Sequence, residues 1–435
     1  MAVANLSVHN ESLRGYLGTT RSIKWQMQRH MDEEEEEEEQ NILLSPFEKV
    51  IYDMKNSKKV KNELILGKRI GFYQLRGEIG TGNFSKVKLG IHCLTKEKVA
   101  IKIMNKKQIT QKSRQLFINE ILSMEQLHHP NIIRLYEMLE TQSRLYLVLE
   151  YADGGDLFTK VSTRGRLLEY ESKFIFIQIV SAVKHMHENN VIHRDLKAEN
   201  VFYSATNCVK LGDFGFSAVC PLSELLNTCC GSPPYAAPEL FKENSYFGIH
   251  VDIWALGILL YFMVTATLPF RAETIRKLKK YILLGSYTIP SYVSDPCRKL
   301  IHGILQIIPT NRYTLDNILD SPWLKGMECP EPYQPFHLNP AHLVSSLPLN
   351  EEEKEVKKAL RGLGITEEHI CNNPNWDCHS PITGTYRILL HRSHKRHYSD
   401  GPVMMNNCPA KPRLNENRKK RLKARVQTSR MCLIL

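Results

Sequence analysis

The stretch His193-Arg194-Asp195-Leu196-Lys197-Ala198-Glu199-Asn200 sets a carboxylate, two cations and an amide within eight residues. Asp195 can accept a proton from an alcohol, and Lys197 can neutralise charge on a phosphoryl group in transit. Asn200, five residues after Asp195, can reach a metal ion. A solvated charged turn could have the same composition. The chemistry therefore depends on partner groups standing elsewhere in the chain, in order and at workable spacing.

Those partners exist. In Gly80-Thr81-Gly82-Asn83-Phe84-Ser85-Lys86-Val87, two glycines let the backbone turn sharply and close over phosphates, or form a plain β-turn. Ser85 takes the place of a third glycine, and Val87, Leu89 and Ile91 continue as a strand where a dinucleotide fold needs a helix. Val99-Ala100-Ile101-Lys102 suits a buried strand, so its lysine must either find an anion or reach the surface. Glu120 offers the carboxylate, on a segment from Arg114 to Gln126 with the helical stripe Phe117, Ile121 and Met124. Glu150-Tyr151-Ala152 followed by Gly154-Gly155 is a natural hinge, and Asp213-Phe214-Gly215 comes eighteen residues after Asp195.

Taken together, residues from about 74 to 325 resemble a protein kinase domain, closed by Ala237-Pro238-Glu239 and ending near Trp323. The resemblance implies an α+β bilobal fold, with a small mostly-β N-lobe and a larger mostly-α C-lobe. It implies ATP and Mg2+ as cofactors, with Asp195 and Lys197 catalytic and Asn200 and Asp213 holding the metal. Lys102, paired with Glu120, would align the phosphates under the loop from Gly80 to Val87. The backbone of Glu150 and Ala152 would meet adenine behind Leu149 as gatekeeper, and Asp156 would reach the ribose. Arg194 would await a phosphate on Thr228, placed there by an upstream activating kinase.

Lys197 resembles serine/threonine kinases, Phe216 those preferring serine, and Glu199 the residue that favours basic side chains upstream of the phosphoacceptor. Asn227 to Glu239 is similar to the AMPK-related branch of the calcium/calmodulin-dependent kinase group. His187-Glu188-Asn189-Asn190 and Lys197 to Tyr203 resemble that branch's new-inducer-of-mitosis type. Cys229 stands where the branch usually has Phe, and Ile308 where Asp usually precedes Pro309. Asp252 resembles the anchor of the catalytic-loop backbone, and Arg312 the partner of Glu239. The expected function is phosphorylation of Ser/Thr in protein substrates. The alternative is a pseudokinase-type docking scaffold, which no degraded motif favours.

Composition agrees. The chain has 435 residues, 42% hydrophobic, enough for two or three domains with a sizeable core. Eleven scattered cysteines without a C-x-x-C pair point to reduced thiols and a cytoplasmic setting. The N-terminus has no long apolar run, so no secretory signal is expected. The net charge of +12 is concentrated from Arg392 onward, where twelve Lys/Arg face only Asp400 and Glu416. The basic balance thus belongs to the tail and does not argue for nucleic-acid binding. Ile253 to Phe270 lacks charge, but Asp252 abuts it, Thr265 and Thr267 dilute it and Pro269 ends it, so a buried central helix is expected and not a membrane span.

Outside the kinase-like region, residues 1–44 carry the acidic run Asp32 to Glu39 and read as disordered. Residues 45–69 read as a linker with one short helix, capped by Ser45 with Pro46 at its first position. Residues 351–392 read as three short helices, marked by Val356, Leu360 and Leu363, a cap at Thr366, and Thr383 to Leu390. They resemble a ubiquitin-associated-like or autoinhibitory module that biases the lobes. Residues 393–435 read as a basic disordered tail ending in Cys432-Leu433-Ile434-Leu435. That end fits a geranylgeranyl-type lipidation box on Cys432, with Arg418 to Arg425 as a polybasic second signal for membrane association.

Overall fold

A computed structural model describes residues 44–397, apart from 83–84, 109, 205–207, 334–336, 339, 346–347 and 374–377. Asn83, Phe84, the acidic run, Cys432 and the polybasic segment lie outside the described residues.

Six antiparallel strands form the N-lobe sheet in the order β1-β2-β3-β4-β6-β5. They are β1 (Arg69–Ile70), β2 (Tyr73–Thr81), β3 (Ser85–His92), β4 (Lys98–Asn105), β5 (Leu135–Glu140) and β6 (Arg144–Glu150). Two helices precede the sheet, α1 (Pro46–Asn56) and α2 (Lys58–Ile65), and α3 (Gln111–Gln126) lies across it. The C-lobe contains α4 (Leu157–Arg164), α5 (Glu169–Glu188), α6 (Glu239–Lys242), α7 (Gly248–Thr265), α8 (Ile275–Leu284), α9 (Asp295–Ile304) and α10 (Leu315–Leu319). Short strands β7 (Val191–Ile192), β8 (Val201–Tyr203), β9 (Val209–Leu211) and β10 (Ala218–Val219) frame the catalytic loop. Helix α7, whose one carboxylate is Asp252, is buried nearly all round, against α5 and α9, with Trp254 stacked on Phe270 at 5.8 Å. It is long and apolar enough to span a membrane, but its apolar faces are spent on the core.

Three more helices follow: α11 (Glu351–Gly362), α12 (Glu367–Cys371) and α13 (Pro381–His397). Helix α13 runs to His397, beyond the 392 boundary expected for the module, because Ser393 and Arg396 continue to bind Glu355 on α11. It lies across one face of the sheet next to β5, with Ile388 packed against Tyr73, Ile101, Tyr136 and Val148. Its Tyr136–His391 hydrogen bond is 2.5 Å, and its Arg387 forks onto Glu125 of α3 at 2.6 and 3.1 Å.

The stretch 45–69 is not a linker with one helix. It holds two helices, and the first belongs to the same core as the C-terminal module. Ser45 caps α1 reciprocally with Glu48. Phe47 meets Phe72 and His369 edge-on and donates its amide to the Leu363 carbonyl at 2.9 Å. Phe47, Phe72, Leu343, Val356, Leu360 and Tyr386 therefore share one apolar cluster. Each such side chain contributes roughly 1.5–3 kcal/mol when fully buried. The two ends of the described chain are thus joined on the back of the N-lobe.

Candidate active site

The catalytic loop is held from beneath by one buried carboxylate. Asp252 on α7 accepts the Arg194 amide at 2.9 Å through Oδ1, and through Oδ2 the His193 amide at 2.9 Å and His187 Nε2 at 3.0 Å. Burial alone would raise its pKa, but the hydrogen bond and charge interaction with His187 outweigh that and hold the carboxyl below its usual value. The loop backbone is forced accordingly. Arg194 has φ +66° and Asp213 φ +58°, left-handed conformations that cost a non-glycine residue free energy and concentrate at functional sites. Gly231, φ +107°, passes so near the loop that an added Cβ would lie 2.5 Å from the Arg194 carbonyl.

Asp195 is almost wholly buried and sits in a compact polar cluster. Its Oδ2 accepts Lys197 Nζ at 2.5 Å, and its Oδ1 accepts the Ser232 hydroxyl at 2.8 Å. Lys197 also reaches Ser232 at 3.0 Å. Asn200 donates its side-chain amide to the Asp195 carbonyl at 2.9 Å, which turns its own carbonyl oxygen to the opposite side.

Across the cleft, Lys102 on β4 binds Glu120 Oε1 at 2.6 Å and Asp213 Oδ1 at 3.1 Å. Burial opposes the lysine's charge, but the Asp213 and Glu120 carboxylates more than restore it and raise its pKa. Lys102 in turn depresses Asp213 to about 2, while burial raises Glu120. Phe214 is fully buried and rests its ring 5.1 Å from that of His193, which leaves the Asp213 side chain half exposed at the cleft. An added Cβ at Gly215 would stand 3.3 Å from Asp213 Oδ1 and 3.6 Å from Lys102 Nζ. An ionised, outward carboxylate and an amide oxygen fit Mg2+, which takes few protein ligands and completes its shell with phosphate and water. Among the described residues no group of three His, Cys, Asp or Glu could hold a metal by itself.

The other expected positions are distributed around this centre. Gly80 pairs with Val87 and Thr81 with Lys86 in the β2–β3 ladder, Val87 lies opposite Lys102, and the Gly82 amide donates to Ser85 O at 2.8 Å. Asp156 is at the cleft edge, but both its oxygens accept from Thr159, at 2.7 and 2.8 Å, and cap α4. A ribose hydroxyl would have to share them. Thr228 is exposed, and its hydroxyl accepts from Arg194 Nη1 at 2.7 Å. Arg312 donates to Glu239 through its two terminal nitrogens, at 2.6 and 2.7 Å.

Glu150 and Ala152 occupy the hinge. The Glu150 side chain points away from the cleft to Lys210 Nζ at 3.1 Å and to Lys395 Nζ and His391 Nε2, each at 3.4 Å. Burial and the nearby cations Arg134, Lys395 and Lys210 push His391 well below the usual histidine pKa, so its ring is neutral and the lysines carry the opposing charge. The sequence reading did not include Lys210, His391 and Lys395 at the hinge, or Ser232 on Asp195. Nothing local marks the first three. Ser232, next to Gly231 in the activation segment, could have been found from its place there.

Two lobes, a hinge and an acid–base loop facing a Lys–Glu–Asp cluster define the bilobal kinase fold. Residues 73–324 match the protein kinase domain family. The chain is 37% identical over 329 residues to the zebrafish (Danio rerio) protein "Serine/threonine-protein kinase SIK3 homolog", covering 76% of this chain and 28% of that one. It spans little more than a quarter of that relative's length. The chain belongs to the protein kinase family.

Proposed function

We propose that this chain is an ATP- and Mg2+-dependent serine/threonine protein kinase whose activity is raised by phosphorylation of Thr228. The observation that carries the reading is the joint presence of the buried Asp195–Lys197–Ser232 cluster and the intact Lys102–Glu120 pair. Asp195 orients the substrate hydroxyl and takes its proton, and Lys197 offsets charge on the phosphoryl group. Asp213 and Asn200 would hold Mg2+, which neutralises phosphate charge when bound. Lys102, fixed by Glu120, positions the nucleotide's phosphates. Arg194 lies against the Thr228 hydroxyl, so a phosphate there would gain a charge-assisted partner without rearrangement. The substrates are Ser/Thr-bearing protein segments with upstream basic residues, a preference that rests on the place of Glu199 in the catalytic loop.

Phosphate transfer from ATP/Mg2+ to a basic serine peptide, before and after treatment with an activating kinase, tests this. Wild type is expected to gain activity and Thr228→Ala to gain none. A wild-type chain stoichiometrically phosphorylated on Thr228 and still inactive would leave the docking-scaffold reading in its place.

A cytoplasmic location with membrane association through Cys432 and the basic tail is also proposed, on the ground of the Cys-Leu-Ile-Leu end and the basic run from Arg418 to Arg425. An unchanged membrane fraction in Cys432→Ser would remove it.

A further inference from the structure

Helix α2 presents an outward face that the kinase chemistry does not use. Its inward face is firmly tied. Val60 is buried, and Glu63 accepts Arg69 Nε at 2.9 Å, while Arg69 also reaches Cys93 Sγ at 3.0 Å. At 100° per residue, Val60, Glu63 and Leu64 lie inward, and the outward half carries Lys58, Lys61 and Ile65 on one flank and Lys59 and Leu66 on the other. That outer side is unusual in two ways. Ile65 and Leu66 are 82% and 66% exposed, the two most exposed large hydrophobic side chains among the described residues. The neighbouring lysines in the chain, Lys55, Lys58, Lys59, Lys61 and Lys68, are all exposed, none ion-paired to a described carboxylate. The one acid of the helix, Glu63, is already engaged by Arg69.

A buried helix would turn its aliphatic residues inward, and a purely solvated one would not display two adjacent aliphatics. Aliphatics at the tip of a rigid basic surface match the headgroup–acyl boundary of an anionic leaflet, where lysines meet phosphates and the apolar tip enters below them. We propose that the outer face of α2, with Lys58, Lys59, Lys61, Ile65 and Leu66, is a docking surface for an anionic phospholipid bilayer. The surface stands on described residues alone and does not depend on the tail. It would hold the N-lobe against the leaflet, with the module at the chain's other end on the same lobe. An acidic protein segment, such as the run from Asp32 to Glu39, would use the lysines but has no use for the aliphatic pair.

The test is co-sedimentation of the full-length chain, produced in bacteria and so without a prenyl group, with phosphatidylcholine vesicles containing or lacking about 30% phosphatidylserine. Three variants are compared: Lys58→Glu/Lys59→Glu/Lys61→Glu, Ile65→Ser/Leu66→Ser, and a neutralised tail (Arg418→Gln/Lys419→Gln/Lys420→Gln/Arg421→Gln). All the altered α2 side chains are exposed, so thermal melting and peptide phosphorylation are expected to match wild type. Each lysine near an anionic surface is worth about a fivefold gain in partitioning, so the triple change is expected to cost on the order of 100-fold. The Ser pair is expected to cost about tenfold. Both losses should persist when combined with the neutralised tail. Vesicle binding by both α2 variants equal to wild type would overturn the proposal while leaving the tail reading intact. Loss in the lysine variant without loss in the Ser variant would also overturn it, in favour of an acidic partner. Absence of wild-type binding to the phosphatidylserine vesicles would overturn it outright.

Discussion

Arg387→Met isolates the joint between the C-terminal helix and the N-lobe. The guanidinium donates to both oxygens of Glu125, at 2.6 and 3.1 Å, and to the Leu338 carbonyl at 2.9 Å. Methionine retains the apolar stem and removes only the planar fork. Hydrogen bonds to charged groups contribute roughly 1.5–3 kcal/mol each. Glu125 keeps about a quarter of its side chain in water and recovers part of its loss by hydration. The net effect on docking of α13 should be about 2–3 kcal/mol, a 30- to 150-fold rise in its opening. Amide hydrogen exchange along α13 and β5, followed by mass spectrometry, reads that opening directly. Combining the change with Glu125→Gln should give a coupling of about 1–2 kcal/mol. Exchange in α13 equal to wild type, or additive single and double variants, would refute the reasoning. Because Glu125 and Glu120 share α3, the same variant should also raise the KM for ATP more than it lowers kcat.

Further outcomes follow from the same geometry. Glu137, buried beneath α13 where Gly384 closes on it, is raised to about 8 by burial, against the lowering effects of its 2.5 Å bond from Tyr73 and of the Arg387 charge. A carboxyl whose folded pKa is raised gives stability that is full below its unfolded value and lost as pH climbs from about 4.5 through about 8. Urea unfolding should therefore show wild type losing stability relative to Glu137→Gln across that window, and a pH-independent difference would contradict it. Gly231→Ala should lower phosphotransfer at least tenfold, since the methyl would strike the Arg194 carbonyl and the left-handed φ is strained for alanine, about 1–3 kcal/mol or more; unaltered initial rates would contradict this. Arg312→Met should destabilise the C-lobe by about 3–5 kcal/mol by leaving Glu239 buried and unpaired, with the midpoint partly recovered in Arg312→Met/Glu239→Leu, measured by thermal melting.

The grouping of the candidate site residues was legible in the sequence because they lie at fixed offsets on a short loop. Asp195, Lys197 and Asn200 sit on eight consecutive residues, and Asp213 follows two residues after β9. The Lys102–Glu120 pair was also accessible, since a lysine ending an apolar strand needs an anion and Glu120 lies on the next helix. Val356 and Leu360, at helical spacing, are buried as that spacing requires. What the sequence did not reveal is how distant segments meet. Phe47 looked like one apolar residue in a short capped helix, yet it enters a core made with residues some three hundred positions away. His394 and Lys395 fell in the stretch read as a basic tail and His391 at the end of the module, yet His391 and Lys395 back the hinge and His394 binds Glu352. Such contacts have no local period, and a charged helix packed on a lobe has much the same composition as a solvated one.

The central claim is most directly tested by comparing wild type with Asp195→Asn, both phosphorylated on Thr228, for nucleotide binding and for the initial rate of phosphate transfer to a basic serine peptide. The substitution keeps the size of the side chain while removing the base, so nucleotide affinity should stay within a few-fold and transfer should fall by about 100- to 10,000-fold. Equal transfer rates for the two proteins would contradict the assignment of Asp195 and, with it, the account of this site.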